Sequence, residues 1–345
     1  MGIALQTVTN ELTHAFLLSV GAFLLAMFLT PIYTFFAYRY RFWKRQRSES
    51  TDGKKLKIFA KFQAAKLRRN IPTMAGVIGV ISIFVVTIFF NLDRAQTWLP
   101  LAALVGGGIV GLIDDIINLR GLGGGAAGLR SPVKFALITL IGVVLGWFFF
   151  AKLGVASFHV PFVGEVNIGW LIIPLFAFAV VATGNAVNIS DGMDGLAGGL
   201  LGISFGAFGV IALLQQHVIL AGFCFTVVGV LLSYLWFNIY PARFFMGDVG
   251  SFAYGACLGV VAMLTDSLLL LPVIGLLFVI EAGSSLTQIL SKKLFKRKIF
   301  LSAPIHHHLE AIGWPETKVT MRFWVIGCVM AFIGVMLALA GGHIA

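Results

Sequence analysis

Apolar residues run along this chain in blocks of about 20, the length that carries a helix across the hydrocarbon core of a bilayer. They lie at roughly 15–38, 73–91, 98–114, 135–153, 168–187, 196–214, 219–237, 251–265, 268–290 and 321–341, with short polar breaks between them. The pattern predicts an all-α polytopic membrane protein with ten transmembrane helices, a single integral membrane domain over 1–345. Pro174 and Pro272 fall inside blocks and predict kinks there. Between two blocks, Ser157 to Asn167 alternates weakly, the period of a small hairpin. Met1 to Asn10 carries no Lys or Arg and no small-residue cleavage site, so the first block reads as an uncleaved span.

Composition agrees with this pattern: 59% of the residues are hydrophobic, 11% are charged and mean hydropathy is +0.97, which excludes a soluble globule. Charge then sets the orientation. Placing 39–72, 115–134, 188–195, 238–250 and 291–322 on one side collects 23 of the 25 Lys and Arg there, leaving Arg94 and Lys152 opposite. By the positive-inside rule that side is cytoplasmic and both termini lie on the periplasmic or extracellular side. The loop 39–72 holds twelve of these basic residues, and Leu56, Phe59, Ala60, Gln63 and Leu67 fall near one helical face within it. A basic interfacial helix on anionic headgroups and a plain topogenic loop both account for it. Cys224, Cys257 and Cys328 lie inside apolar blocks and read as small buried hydrophobes, with neither a disulfide frame nor a metal site.

Four polar knots interrupt the pattern, and the topology brings all of them to the cytoplasmic face. They are Asp114-Asp115, the segment from Asn185 to Asp194, Phe245-Met-Gly-Asp248, and the His-containing loop 291–322 with His306-His307-His308. Each alone has an ordinary reading, since Asn, Asp and Gly cap helices and make turns. Together they predict one active site on the cytoplasmic face. Asp114, Asp115, Asp191, Asp194 and Asp248 gather five carboxylates at one mouth, which repel one another unless a cation or a proton relieves them. Hard oxygen ligands suit Mg²⁺, which takes one or two carboxylates and completes its shell with water and substrate phosphates. Lys134, Arg130, Arg120, Arg68 and Arg69 are the basic partners available to clamp phosphoryl oxygens. The glycine-rich 121–128 is read as a linker. Three consecutive His cannot turn their rings to one point from a single helix, so anion binding or hydrogen bonding is preferred to a three-His metal site. Glu281 and Gln288 share a helical face and are read as a buried hydrogen-bonding pair.

Three stretches carry a resemblance. Asn185-Ala-Val-Asn-Ile-Ser-Asp-Gly-Met-Asp-Gly-Leu-Ala197, Trp236-Phe-Asn-Ile-Tyr-Pro-Ala-Arg-Phe-Phe-Met-Gly-Asp-Val-Gly-Ser251 and Ala303-Pro-Ile-His-His-His-Leu-Glu-Ala-Ile-Gly-Trp-Pro-Glu316 resemble the signatures of the bacterial phospho-N-acetylmuramoyl-pentapeptide transferases. Pro72-Thr-Met74 and Asp114-Asp115 are similar to further motifs of that family. The resemblance implies transfer of phospho-MurNAc-pentapeptide from its UDP carrier to undecaprenyl phosphate, giving lipid I and UMP for peptidoglycan synthesis. It also implies Mg²⁺, a multi-pass position in the bacterial plasma membrane and a homodimer, with no nucleic-acid partner. Carried over by motif, Asp114, Asp115 and Asp248 are the catalytic set, with Asp114 the base or phosphate-orienting group; Asp248, Asn188 and Asp191 are the metal set. Lys134, Asn188, Asp191, Asp194, Phe245, His306, His307, His308 and Arg68 bind substrate, Phe245 by stacking on uracil. The chain departs from the family pattern at Asn118 and Arg68, where Lys is usual, at Ile138, where Gln is usual, and at Ala75, where Gly is common. Two other functions fit a polar membrane mouth: a polyprenyl-phosphate GlcNAc-1-phosphate transferase, and a lipid-precursor or ion transporter. No pair of inverted halves with matching broken helices, a transporter signature, is visible in the sequence.

Overall fold

The computed structural model describes residues 2–43, 70–121 and 128–342, and side chains from residue 9 onward. Arg68, most of the basic loop and the centre of the glycine-rich stretch lie outside the described residues. The chain forms α1 (Gly2–Arg39), α2 (Gly76–Phe90), α3 (Trp98–Arg120), α4 (Ser131–Leu153), β1 (Ser157–Val160), β2 (Gly164–Asn167), α5 (Ile172–Ser190), α6 (Leu196–Leu214) and α7 (Val218–Asn238). Then follow α8 (Gly247–Leu264), α9 (Leu271–Ile274), α10 (Leu276–Leu294), α11 (Ile305–Ala311) and α12 (Glu316–Ala340). Among the described residues eight helices are long and apolar enough to cross a membrane. A ninth stretch, Leu268–Leu294, bends by 81° at Gly275. The apolar α2 has 15 residues, about 22 Å of helix.

The two prolines act differently. Pro272 sits in the first turn of α9, just before the bend. Pro174 falls in the first turn of α5, where no intrahelical N–H is needed, so no kink arises there. The hairpin expected at 157–167 forms, with His159 opposite Glu165.

The centre of the bundle is α8. Every residue from Gly247 to Met263 is buried, and α2, α3, α5 and α6 surround it. Its small residues Gly247, Ser251, Gly255 and Gly259 recur every fourth position, the spacing that lets helix backbones approach within a bilayer. A Cβ on Gly107 of α3 would stand 2.6 Å from the Phe252 carbonyl, and one on Gly111 would collide with the backbone of Asp248. On the opposite side a Cβ on Gly255 would stand 2.7 Å from the Gly184 Cα of α5. Large apolar side chains such as Phe16, Leu24, Phe28, Phe89, Phe178 and Phe332 point outward, as a lipid-facing surface requires.

Gly111→Ala therefore forces α3 away from α8 and lowers the thermal midpoint in detergent, at about the 1–3 kcal/mol of overpacking. Gly202→Ala on α6, whose added Cβ meets nothing within 4 Å, leaves the midpoint unchanged or raises it. Equal midpoints for the two variants would remove the glycine contact as the determinant of this helix pair.

Candidate active site

The close α3–α8 contact sets the polar end of each helix beside the other. Asp114 and Asp115 stand one turn and a half before the end of α3, and Asp248 occupies the first turn of α8. One carboxylate oxygen of each lies within 4.8 Å of the others. Lys134, from the first turn of α4, reaches between them: its Nζ is 2.7 Å from Asp248 Oδ2 and 3.1 Å from Asp114 Oδ2. The same ammonium stands 5.2 Å over the Phe252 ring, one turn on from Asp248. Three carboxyl groups thus stand against one ammonium. That hard oxygen donor set fits a divalent cation.

The two adjacent aspartates do different work. Asp114 Oδ1 accepts the Leu129 N–H at 2.7 Å. Gly128 passes so close that a Cβ would stand 2.9 Å from the same carboxylate, and its φ of +117° suits only glycine. The end of the stretch read as a linker is thus a backbone clamp on Asp114. Asp115 is fully buried, and its Oδ2 accepts the Val249 N–H at 3.1 Å at the start of α8, favourably for the helix dipole. Gly247, at φ +75°, gives that carboxylate room.

The second knot is tied from three sides. Asn188 Nδ2 donates to Ser251 Oγ at 2.8 Å, one turn along α8 from Asp248. Asp191 is half-buried at the C-terminus of α5. Asp194 is almost wholly buried: Oδ2 accepts the Ala242 N–H at 3.0 Å, and its own N–H donates to Glu316 Oε1 at 2.6 Å. Asn238 accepts from Gly195 N–H at 2.9 Å and donates to the Phe244 carbonyl at 2.8 Å. Phe245, half-buried, is held by its backbone to Pro72 and Ala75. The cluster within ligand reach thus joins Asp248 to Asp114 and Asp115, while Asn188 approaches it through Ser251 and Asp191 lies in the adjoining turn.

The three His part company, as their geometry on one short helix requires. His306 is fully buried with its Nδ1 2.8 Å from Glu281 Oε2, His307 Nδ1 is 2.6 Å from Glu310 Oε2, and His308 Nδ1 accepts the Leu301 N–H at 3.3 Å. Burial holds the His307 ring below its ordinary pKa despite the Glu310 carboxylate. Nε2 of His306 fills the space beside Gly192 where a Cβ would otherwise lie, which joins the His loop to the second knot. Glu281 and Gln288 are both buried but not paired with each other. Glu281 serves His306, and Gln288 accepts from the Ile299 and Phe300 N–H groups and donates to the Phe300 carbonyl. Two side chains seven residues apart on one face meet what packs over that face, here the loop 295–306, rather than each other.

Of the expected basic groups among the described residues, only Lys134 enters the cluster; Arg120 and Arg130 are exposed. Asn118 is buried one turn beyond Asp114, and Ile138 is fully buried in the apolar core with Phe176 and Phe252. The residues that sequence reasoning missed are Gly128 with Leu129, Ser251, Asn238 and Glu316. Asn238 and Glu316 fall inside the quoted signatures, and their polar character amid apolar neighbours was the available signal.

A model of the glycosyl transferase family 4 matches residues 97–266, which spans the carboxylate cluster and the second knot. Curated relatives named phospho-N-acetylmuramoyl-pentapeptide-transferase match nearly the whole chain. The one from Chloroflexus aggregans is 38% identical over 99% of this chain and 94% of its own length. That from Geobacillus thermodenitrificans is 35% identical over 91% and 94% respectively, and that from Oceanobacillus iheyensis 35% over 94% and 98%.

Glu281→Ala leaves His306 buried without its Nδ1 partner and lowers stability by about 1–3 kcal/mol, read as a fall in thermal midpoint. Glu281→Gln, which keeps an acceptor oxygen, recovers most of it. A midpoint that ignores both substitutions would show that this buried contact does not hold the His loop.

Proposed function

The chain belongs to the phospho-N-acetylmuramoyl-pentapeptide-transferase family, and from that premise we propose the reaction, orientation and residue roles that follow. It transfers phospho-MurNAc-pentapeptide from UDP-MurNAc-pentapeptide to undecaprenyl phosphate, forming lipid I and releasing UMP in peptidoglycan synthesis. The observation that carries the assignment of roles is the Lys134 ammonium held between Asp114 and Asp248. In this reading the chain crosses a bacterial plasma membrane ten times, with α2 and the bent Leu268–Leu294 counted among the crossings, both termini lie outside and the cluster lies at the cytoplasmic face.

Asp248, with Asn188 and Asp191 on the neighbouring turn and Asp114 beside it, would hold Mg²⁺. When bound, the ion supplies charge neutralisation for the diphosphate of the nucleotide sugar. The chain's own residues do the rest. Asp114, oriented by the Leu129 N–H, takes or orients the last proton of undecaprenyl phosphate. The freed oxygen attacks the sugar-linked phosphorus; the new P–O bond forms as the bond to the bridging oxygen breaks, and that electron pair leaves on UMP. Lys134 stays within reach of the phosphoryl oxygens, and Asp115 keeps the start of α8 and thus Asp248 in register. Phe245 stacks on the uracil, and Arg68, Asp194 and the three His line the sugar and diphosphate. A homodimer is part of this reading.

Purified protein with undecaprenyl phosphate and Mg²⁺ should release UMP from UDP-MurNAc-pentapeptide and none from UDP-GlcNAc. Release from UDP-GlcNAc alone would move the chain to the GlcNAc-1-phosphate branch, and export of lipid precursor with no UMP would make it a transporter. Asp114→Asn should cost about 10²–10⁴-fold in turnover, the range for a lost general base, and Asp248→Asn should abolish it. Isolation of a phosphorylated Asp248 would replace direct attack by a two-step route.

A further inference from the structure

A second group of ligating side chains stands at the far end of α8, whose 18 residues put it about 27 Å of helix away from Asp248. His159 of β1 faces Glu165 of β2 across the hairpin. Asp266, in the turn after α8, accepts the His159 backbone N–H at 2.9 Å. Side-chain donor atoms of the three residues lie within 4.8 Å of one another.

The imidazole is oriented for ligation. His159 is more than nine-tenths buried, and its Nε2 is 2.9 Å from the Gly341 carbonyl. A carbonyl only accepts, so Nε2 carries a proton, and Nδ1, the other ring nitrogen, faces Glu165 Oε1 at 3.7 Å. Two carboxylates gathered at one imidazole repel one another unless a cation or a proton stands between them. A ring whose other N–H is fixed by a backbone carbonyl is the arrangement that metal-ligating histidines use. Ligands about 2.1 Å from zinc stand about 3.4 Å apart in a tetrahedron, close to the observed Nδ1–Oε1 separation. One nitrogen and two carboxylates suit zinc better than magnesium, and the Glu165 side chain, 58% exposed, leaves a position open to water.

We infer that His159, Glu165 and Asp266 bind a divalent transition-metal ion of the zinc type at the face opposite the transferase site. The ion clips together the hairpin, the turn after α8 and, through the His159 ring and the Phe162 N–H donated to the same carbonyl at 3.1 Å, the end of α12 at Gly341. Its role is structural, since no residue of the transferase cluster takes part.

The test uses full-length protein in detergent, stripped with EDTA, then equilibrated with Zn²⁺ in excess Mg²⁺ so that the carboxylate cluster is occupied. Wild type should retain one more zinc per chain than Glu165→Gln or His159→Gln, and zinc should raise the thermal midpoint of wild type alone. Asp248→Asn should keep that extra equivalent. Glu165 is exposed enough for its substitution to leave the fold intact, so the result stands even where His159→Gln does not fold. Equal zinc content in wild type and Glu165→Gln overturns the site and leaves a proton shared among these groups as the relieving cation.

Discussion

One ammonium group between two carboxylates is the contact on which the rest of the site depends. Asp114, Asp115 and Asp248 would repel one another strongly in so dry a place, where effective dielectric is far below that of water. Lys134 offsets part of that repulsion, the Leu129 and Val249 N–H groups stabilise the remaining charge, and the residual negative charge suits a divalent ion. Removing any of these partners leaves an uncompensated buried charge, which is costlier than never having placed it.

That constraint explains the packing above it. For three carboxylates to come within ligand reach of one another, α3 and α8 must touch backbone to backbone, and glycine is the residue that permits it. Gly107 and Gly111 on one helix meet Phe252 and Asp248 on the other, while Gly184 and Gly255 repeat the device on the α5 side. Lipid offers no hydrophobic drive for helices to associate, so close van der Waals contact and interhelical hydrogen bonds such as Asn188 to Ser251 supply the cohesion. The burial of α8 and the position of the carboxylate cluster at its first turn are therefore one fact seen twice.

The polar knots outside the carboxylate cluster work mostly on the fold. Asp194, Asn238 and Glu316 lace the α5–α6 turn to the end of α7 and the start of α12. Glu281 reaches across to His306, which in turn fills the space beside Gly192. Side chains that the family motifs group as substrate residues thus also hold one another, so a substitution there mixes loss of binding with loss of structure. Ile138, where the family usually has Gln, is absorbed into the apolar core against Phe176 and Phe252.

Much was legible from the chain alone. Blocks of apolar residues set by bilayer thickness marked where the helices lie, and the Lys and Arg asymmetry pointed every acidic and His motif to one side. Residue type pointed to a hard cation, because carboxylates so close together repel one another unless a cation or a proton relieves them. Tertiary structure alone decided which carboxylates meet: Asp114 and Asp115 are neighbours in sequence, yet one is clamped by Leu129 and Lys134 while the other anchors α8. It also decided that Glu281 serves His306 and not Gln288, and that His159, Glu165 and Asp266 converge at the far end. Periodicity fixes which face of a helix a residue occupies, but which element packs over that face is set by backbone contacts between segments 100 or more residues apart, as between Lys134 and Asp248, and those carry no local signature in sequence.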